Sequence, residues 1–237
     1  MSLPIYWLDD DPTLFPRPNQ ALSDPNGLLA AGGDLSSERL INAYSLGIFP
    51  WYNEGEPILW WSPSPRCVIN PTEFKPSKSL AKLIRKSEFE VTFDKDFTEV
   101  INNCAEARSE GTWINEEMID AYCELFHLGF AHSVECRKDG KLVGGLYGIA
   151  LGGVFFGESM YSAESNASKI AFAELCKNLS EWGFKLIDCQ VHSPHLESLG
   201  AKEISQTEFL SQLKLGLAST TNTNWLNGKQ GYGQQSK

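Results

Sequence analysis

His132-Ser133-Val134-Glu135-Cys136-Arg137, the four residues Lys138-Asp139-Gly140-Lys141, and the runs Leu142 to Ala150 and Val154 to Tyr161 around Gly152-Gly153 decide the fold. The first run alternates, which is the period of a strand. Asp139-Gly140 between two such runs is a strong hairpin signal, because a type I′ turn needs positive φ at both central residues. Gly152-Gly153 marks a second reversal. Three successive strands joined in this way make an antiparallel meander. Residues 166–183 follow as a helix, with Phe172, Leu175, Cys176, Leu179 and Trp182 along one face. A strand at 185–191 comes next, then a short helix near His195 and another from about Thr207 to Leu215. Strands, helix and strand with flanking helices predict an α+β domain with a mixed, mainly antiparallel sheet.

Working back from the meander, Glu90-Val91-Thr92-Phe93 reads as a strand. Residues 95–107 and 115–128 read as helices, separated by Gly111-Thr112-Trp113-Ile114. Cys67-Val68-Ile69-Asn70 is a further short strand. Residues 1–62 are rich in Pro, Gly and Trp, with turn signals at Phe15-Pro16, Pro25-Asn26-Gly27 and Gly32-Gly33-Asp34. Ser36-Ser37-Glu38 opens a short helix that runs through Leu40, Ile41 and Tyr44 to about Gly47. The organisation expected is a small N-terminal domain at 1–62, a larger one at 63–218, and a polar, disordered tail at 219–237.

The 237 residues, 42% of them hydrophobic, can bury a sizeable core. No apolar run approaches the length needed to span a bilayer, and the N-terminus is too acidic for a secretion signal. The six cysteines are scattered with no C-x-x-C, so neither a zinc site nor a redox pair is indicated. A soluble, cytoplasmic, metal-free protein without a cofactor is expected. The net charge of −10 disfavours nucleic acid on average, but a local patch can override an average. Lys78, Lys82, Arg85 and Lys86 stand at i, i+4, i+7 and i+8 on one helical face, opposite Leu80, Leu83 and Ile84. Such a stripe fits a phosphate-backbone partner; taken alone, an ordinary solvated face is the preferred reading.

Two segments flank the 166–183 helix, Phe156-Gly157-Glu158-Ser159-Met160 and Leu186-Ile187-Asp188-Cys189-Gln190. A carboxylate inside an apolar strand is costly unless it is paired or has a chemical task. Here each segment carries one, Glu158 and Asp188. Residues two apart in a strand share a face, so Asp188 and Gln190 are expected to point together. An acid beside an amide suits the handling of a proton and a polar acyl or amine group; a satisfied polar cluster in the core is the other reading. A triad of Ser159, His132 and Asp188 lacks the G-x-S-x-G elbow. Cys189 reads as an inert core thiol, and His132, His192 and His195 lack metal-ligand spacing.

With these blocks together, the chain resembles the leucyl/phenylalanyl-tRNA–protein transferase family from about Leu14 to Leu210. The blocks are Gly27-Leu28-Leu29-Ala30, Gly32-Gly33-Asp34-Leu35, Gly47-Ile48-Phe49-Pro50-Trp51, Trp60-Trp61-Ser62-Pro63, Thr112-Trp113-Ile114, Ala131 to Glu135, Gly144 to Gly148, Phe156 to Met160, Ala167-Ser168-Lys169, Ile187 to Gln190 and His195-Leu196. The resemblance implies a small α/β N-terminal domain and a C-terminal domain with the N-acyltransferase fold of acetyl-CoA-dependent enzymes. It implies transfer of Leu or Phe, and Met less well, from aminoacyl-tRNA to the N-terminal amine of a protein beginning with Arg or Lys, marking that protein for degradation by the N-end rule pathway. In that reading Asp188 and Gln190 orient the amine and relay its proton, and Glu158 lies beside the aminoacyl end. Leu146, Phe155, Phe172, Leu175 and Ile187 match the side-chain pocket. Trp51 and Trp113 match contacts to the terminal adenosine, with Tyr44 and Tyr122 nearby. The stripe Lys78, Lys82, Arg85 and Lys86 matches the tRNA-binding helix. Strict alternation would put Phe155 and Glu158 on opposite faces, so the resemblance requires a bulge at Gly157. The chain departs from the family pattern at Ala163 and Ser205-Gln206, where the family has Arg and Pro-Arg. Two other functions remain for such a fold: an acetyl-CoA-type N-acyltransferase, which needs a Gly-rich turn for the pyrophosphate, and a non-catalytic tRNA-binding module.

Overall fold

Asp139 and Gly140 take φ of 51° and 77°, the pair of positive angles that a type I′ turn demands, and the expected meander grows from that hairpin. A computed structural model describes residues 5–86, 88–107 and 113–225. Its strands and helices in chain order are β1 (Tyr6–Leu8), β2 (Leu28–Gly32), α1 (Ser37–Ser45), β3 (Phe49–Pro50), β4 (Leu59–Trp61), β5 (Arg66–Ile69), α2 (Lys78–Lys86), β6 (Glu90–Phe93), α3 (Phe97–Glu106), α4 (Glu116–His127), β7 (Ala131–Lys138), β8 (Lys141–Leu151), β9 (Val154–Ser162), α5 (Ala167–Glu181), β10 (Leu186–Gln190), α6 (Pro194–Ser198), β11 (Lys202–Ile204) and α7 (Gln206–Leu217).

Seven strands form one sheet in the order β11-β5-β10-β9-β8-β7-β6. Only β10 against β9 is parallel; the other neighbours are antiparallel. This is the mixed, mainly antiparallel α+β sheet expected. A second, four-stranded sheet, β1-β2-β4-β3, lies in the N-terminal part.

Side-chain alternation along the large sheet feeds two apolar cores. Phe155 and Ile187 belong to the core under α5, with Phe172 and Leu175. The adjacent Phe156 and Leu186 belong to the opposite core. That second core also holds Leu40, Tyr44 and Trp60 from the N-terminal segment and Tyr122 from α4, so residues from both sheets share one continuous cluster.

The tail differs from expectation as far as the structure describes it. Asn222 N–H donates to Trp182 O at 3.2 Å, and the Trp225 ring lies flat on His132, with centroids 3.8 Å apart and planes 9° apart. A half-buried indole packed on the core removes apolar area from water, which the polar composition of 219–237 masks. The rest of that tail, residues 226–237, lies outside the described residues.

Candidate active site

Pairing between β8 and β9 slips beside Gly157. Tyr147 pairs with Ser159, and Gly148 pairs with Gly157, so Glu158 is the extra residue of a bulge. Gly148 permits this close approach, since a Cβ there would stand 2.2 Å from Phe156 O and 2.6 Å from the Phe155 ring. The bulge the resemblance required is therefore present, and it brings Glu158 to the cavity that Phe155 lines. Strand β10 is irregular at the matching level. Its register against β5 shifts between Asp188 and Gln190, and Gln190 takes a left-handed φ of 57°. The β9–β10 pairing runs only to Asp188 opposite Phe156.

Two cavities open where that pairing ends. The first, about 220 Å³, is lined by Leu146, Phe155, Phe172, Leu175 and Ile187, the five apolar residues expected there, with Met160, Leu196 and His195 beside them. The second, about 240 Å³, is lined by Phe49, Pro50, Trp51, Trp113 and Val191. Trp51 is 43% exposed, an open aromatic face suited to stacking. Glu158, Cys189 and Gln190 line both cavities and form the wall they share.

Glu158 is half-buried and held from two sides. Gln190 Nε2 donates to its Oε1 at 3.1 Å, and the Tyr122 hydroxyl donates to its Oε2 at 3.0 Å. Tyr44 and Tyr122 join their hydroxyls at 2.5 Å. Burial pushes the Glu158 carboxyl up to about 7, the tyrosine hydroxyls opposing that rise and the Asp188 charge adding to it. Both tyrosines titrate well above their ordinary value, first because they are buried and next because Glu158 faces them, so they act as donors. Tyr44 and Tyr122 were expected near the adenosine. They are instead wholly buried and line neither cavity. A helix position cannot reveal which neighbour covers it, and here the two hydroxyls support Glu158 from behind.

Asp188 also differs from expectation. The bulge separates it from Gln190: its side chain is 0% exposed and forms a bidentate ion pair with the equally buried Arg66, at 2.8 Å from Nε and 2.7 Å from Nη2. It lines neither cavity. Its Oδ1 accepts the Gln190 backbone N–H at 3.0 Å, so Asp188 fixes the turn that aims Gln190. The Arg66 guanidinium sits over the rings of Phe49 and Phe209, 4.8 and 4.5 Å from their centroids. Arg66 is the residue the sequence reading missed. It opens β5 as a charge in an apolar strand, the same signal that marked Glu158 and Asp188. The Cys189 thiol is held well above its ordinary value by its hydrogen bond with Cys67 and by burial, which keeps it protonated.

On α2, Lys78, Lys82, Arg85 and Lys86 are all exposed while Leu80 is buried, so the stripe is a surface. At the start of α5, Ser168 N–H already donates to Ser162 Oγ at 2.9 Å, and Gly144 packs beneath it, where a Cβ would meet Ala167 at 2.5 Å. That terminus has no glycine turn, and its Ser168 amide, which a pyrophosphate would need, is already taken. His132 is bound to Asp94 at 2.8 Å and covered by Trp225, so no triad forms around it. Of the two departures from the family pattern, Ser205 caps α7 by accepting Glu208 N–H at 3.2 Å, and Gln206 Nε2 reaches Pro18 O at 3.1 Å. Ala163 donates its N–H to Val143 O at 2.8 Å. None of the three lines either cavity.

Among the described residues no helix is long and apolar enough to cross a membrane. Known proteins complete the description. The family model for the leucyl/phenylalanyl-tRNA protein transferase matches residues 68–214, and that for the N-terminal domain of the same family matches residues 33–64. A leucyl/phenylalanyl-tRNA–protein transferase from Nitrosospira multiformis is 59% identical over 212 residues, 89% of this chain and 91% of that one. One of the same description from Pseudomonas putida is 55% identical over 223 residues, 93% of this chain and 99% of its own length.

Proposed function

This chain belongs to the leucyl/phenylalanyl-tRNA protein transferase family and is an aminoacyltransferase, and we propose that the two cavities meeting at Glu158 and Gln190 are where its transfer occurs. That junction carries the proposal. A preactivated aminoacyl ester needs an apolar slot for its side chain, an aromatic shelf for its terminal base, and a polar group between them where the carbonyl meets the amine. The 220 Å³ cavity is the slot and the Trp51–Trp113 cavity is the shelf.

The amine nitrogen attacks the ester carbonyl, the carbon–oxygen bond to the ribose breaks, and one proton passes from the amine to the leaving oxygen. Holding the two reactants in line is worth up to about 7–11 kcal/mol. Gln190 donates its amide N–H to Glu158, which leaves its carbonyl oxygen to accept from the amine. Glu158, at about 7, is suited to exchange a proton near neutral pH. Asp188 lies behind this pair and acts through the Gln190 backbone, so it is a positioning residue. Lys78, Lys82, Arg85 and Lys86 offer the phosphate-binding surface, which lets an acidic protein take a polyanion.

The finer reading is that Leu and Phe are the good donors and Met a lesser one, that the acceptor begins with Arg or Lys, and that the product is marked for N-end rule degradation in the cytoplasm. Residues 63–218 would form the catalytic unit and residues 1–62 close it over the Trp51 shelf. A transfer assay with Leu-, Phe-, Met- and Val-charged tRNA tests this, using peptides that begin with Arg, Lys or Asp. Leu and Phe should lead and Met follow. Val, one methylene short of Leu, should fall by roughly 10- to 200-fold. Equal use of Val, or of the Asp-starting peptide, overturns the reading.

A further inference from the structure

Phe155 lines the aminoacyl cavity, and its ring lies 6.0 Å from Trp225 with the planes 30° apart. Trp225 does not line that cavity, so the indole stands behind Phe155. Its place is fixed on several sides. It stacks on His132 at 3.8 Å, itself tied to Asp94. Trp182 meets it edge-on at 4.7 Å, and Phe184 at 6.2 Å. The chain reaches this position through the α7 end, where Gly153 N–H donates to Gly216 O at 2.8 Å and Asn222 N–H to Trp182 O at 3.2 Å. On its remaining side the Phe155 ring touches Gly148, where even a Cβ would come within 2.6 Å.

We propose that Trp225, outside the pocket, sets the pocket's depth by backing Phe155, and so sets the preference between phenylalanyl and leucyl donors. The inference rests on the reading of the 220 Å³ cavity as the aminoacyl slot. A close-packed interior transmits a vacancy to its neighbours. With the indole gone, Phe155 borders the void together with Phe93, His132, Trp182 and Phe184, but it is the one of these that lines the cavity. Gly148 blocks its other side, and it withdraws from the cavity. A deeper slot favours the longer, flat phenyl group over the branched isobutyl group.

The test is the ratio of kcat/KM for Phe-tRNA to that for Leu-tRNA in the full chain, a quantity that cancels any loss of folded protein. Trp225→Ala should raise the ratio by at least about threefold, within what pocket contacts of this size can set. Trp225→Phe, which keeps a ring behind Phe155, should restore it to within about twofold. Phe155→Ala serves as the direct probe of the slot. If it changes the ratio while Trp225→Ala does not, the backing role of Trp225 is wrong and the slot stands. If neither changes it, both are wrong. Should the alanine variant not fold, Trp225→Leu leaves a thinner plug and gives the same readout, with an unchanged ratio again counting against the proposal.

Discussion

Replacing Asp188 should cost stability and activity by separate routes, and the structure assigns a size to each. Arg66 and Asp188 are both 0% exposed, so Asp188→Ala strands a guanidinium in the interior. Breaking a buried pair from one side costs about 3–5 kcal/mol, a large part of the roughly 5–15 kcal/mol that holds a domain together. Arg66→Met should cost a similar amount by stranding the carboxylate. The double variant Arg66→Met with Asp188→Leu leaves no charge behind and should return close to the original stability, since apolar replacement of a buried pair is often neutral. Activity should not return with it. The Gln190 N–H loses its carboxylate acceptor, a bond worth about 1.5–3 kcal/mol, and the left-handed turn at Gln190 loses its anchor. Transfer should stay about 10- to 150-fold down. Urea unfolding and transfer of labelled Leu to an Arg-starting peptide measure the two effects. If Asp188→Ala abolished transfer while unfolding moved by less than about 1 kcal/mol, Asp188 would be acting on the substrate directly and the positioning argument would be refuted.

Transfer should rise with pH through about 7, where Glu158 ionises, and Glu158→Gln should remove that inflection and lower the rate more than tenfold, as read from kcat/KM between pH 5.5 and 8.5. The sign for stability runs the other way. A carboxyl raised from 4.5 to about 7 favours the fold fully below 4.5 and loses that contribution as pH climbs through 7, so the wild type should weaken relative to Glu158→Gln on unfolding at pH 8. Lys82→Glu with Arg85→Glu should raise the Michaelis constant for aminoacyl-tRNA. It should also reduce the slope of log KM against log salt concentration by about 0.7–0.9 for each phosphate no longer neutralised, and an unchanged slope would remove α2 from the interface.

Much of this site was legible because local patterns carry it. The Asp139-Gly140 turn and the amphipathic α5 each follow from residues a few positions apart, whereas the apolar set of Leu146, Phe155, Phe172, Leu175 and Ile187, spread over three strands and a helix, came from the family resemblance and not from any local period. A bulge was expected at Gly157 because the resemblance needed Phe155 and Glu158, on opposite faces of a regular strand, on one side; the extra residue is the next one, Glu158. What escaped depended on partners distant in the chain. Arg66 and Asp188 are 122 positions apart, and Tyr44 meets Tyr122 across 78; no periodicity reports such a pairing. Arg66 was nonetheless within reach. The rule that a charge in an apolar strand needs a partner was applied to Glu158 and Asp188 and not to Arg66, which stood just before the strand expected at Cys67–Asn70 and in the structure opens it. Trp225 escaped because the composition around it outweighed one large apolar side chain.

The irregularities also explain why the site lies where it does. Along β9 and β10 the parallel ladder joins Val154–Leu186, Phe155–Ile187 and Phe156–Asp188. At the next residues β9 bulges at Glu158, and β10 shifts register before Gln190. A regular sheet would have satisfied these backbones with each other and closed the gap. Two bulges at one level part the strands instead, and each turns a polar side chain into the opening, where Gln190 meets Glu158 at 3.1 Å. A bulge costs ladder hydrogen bonds and must be held by something else. On β10 the holder is Asp188, locked by Arg66; on β9 it is the Tyr44–Tyr122 pair behind Glu158. The buried charges and hydroxyls are therefore the supports of the opening, and Glu158 and Gln190 are the polar groups it leaves facing the two cavities.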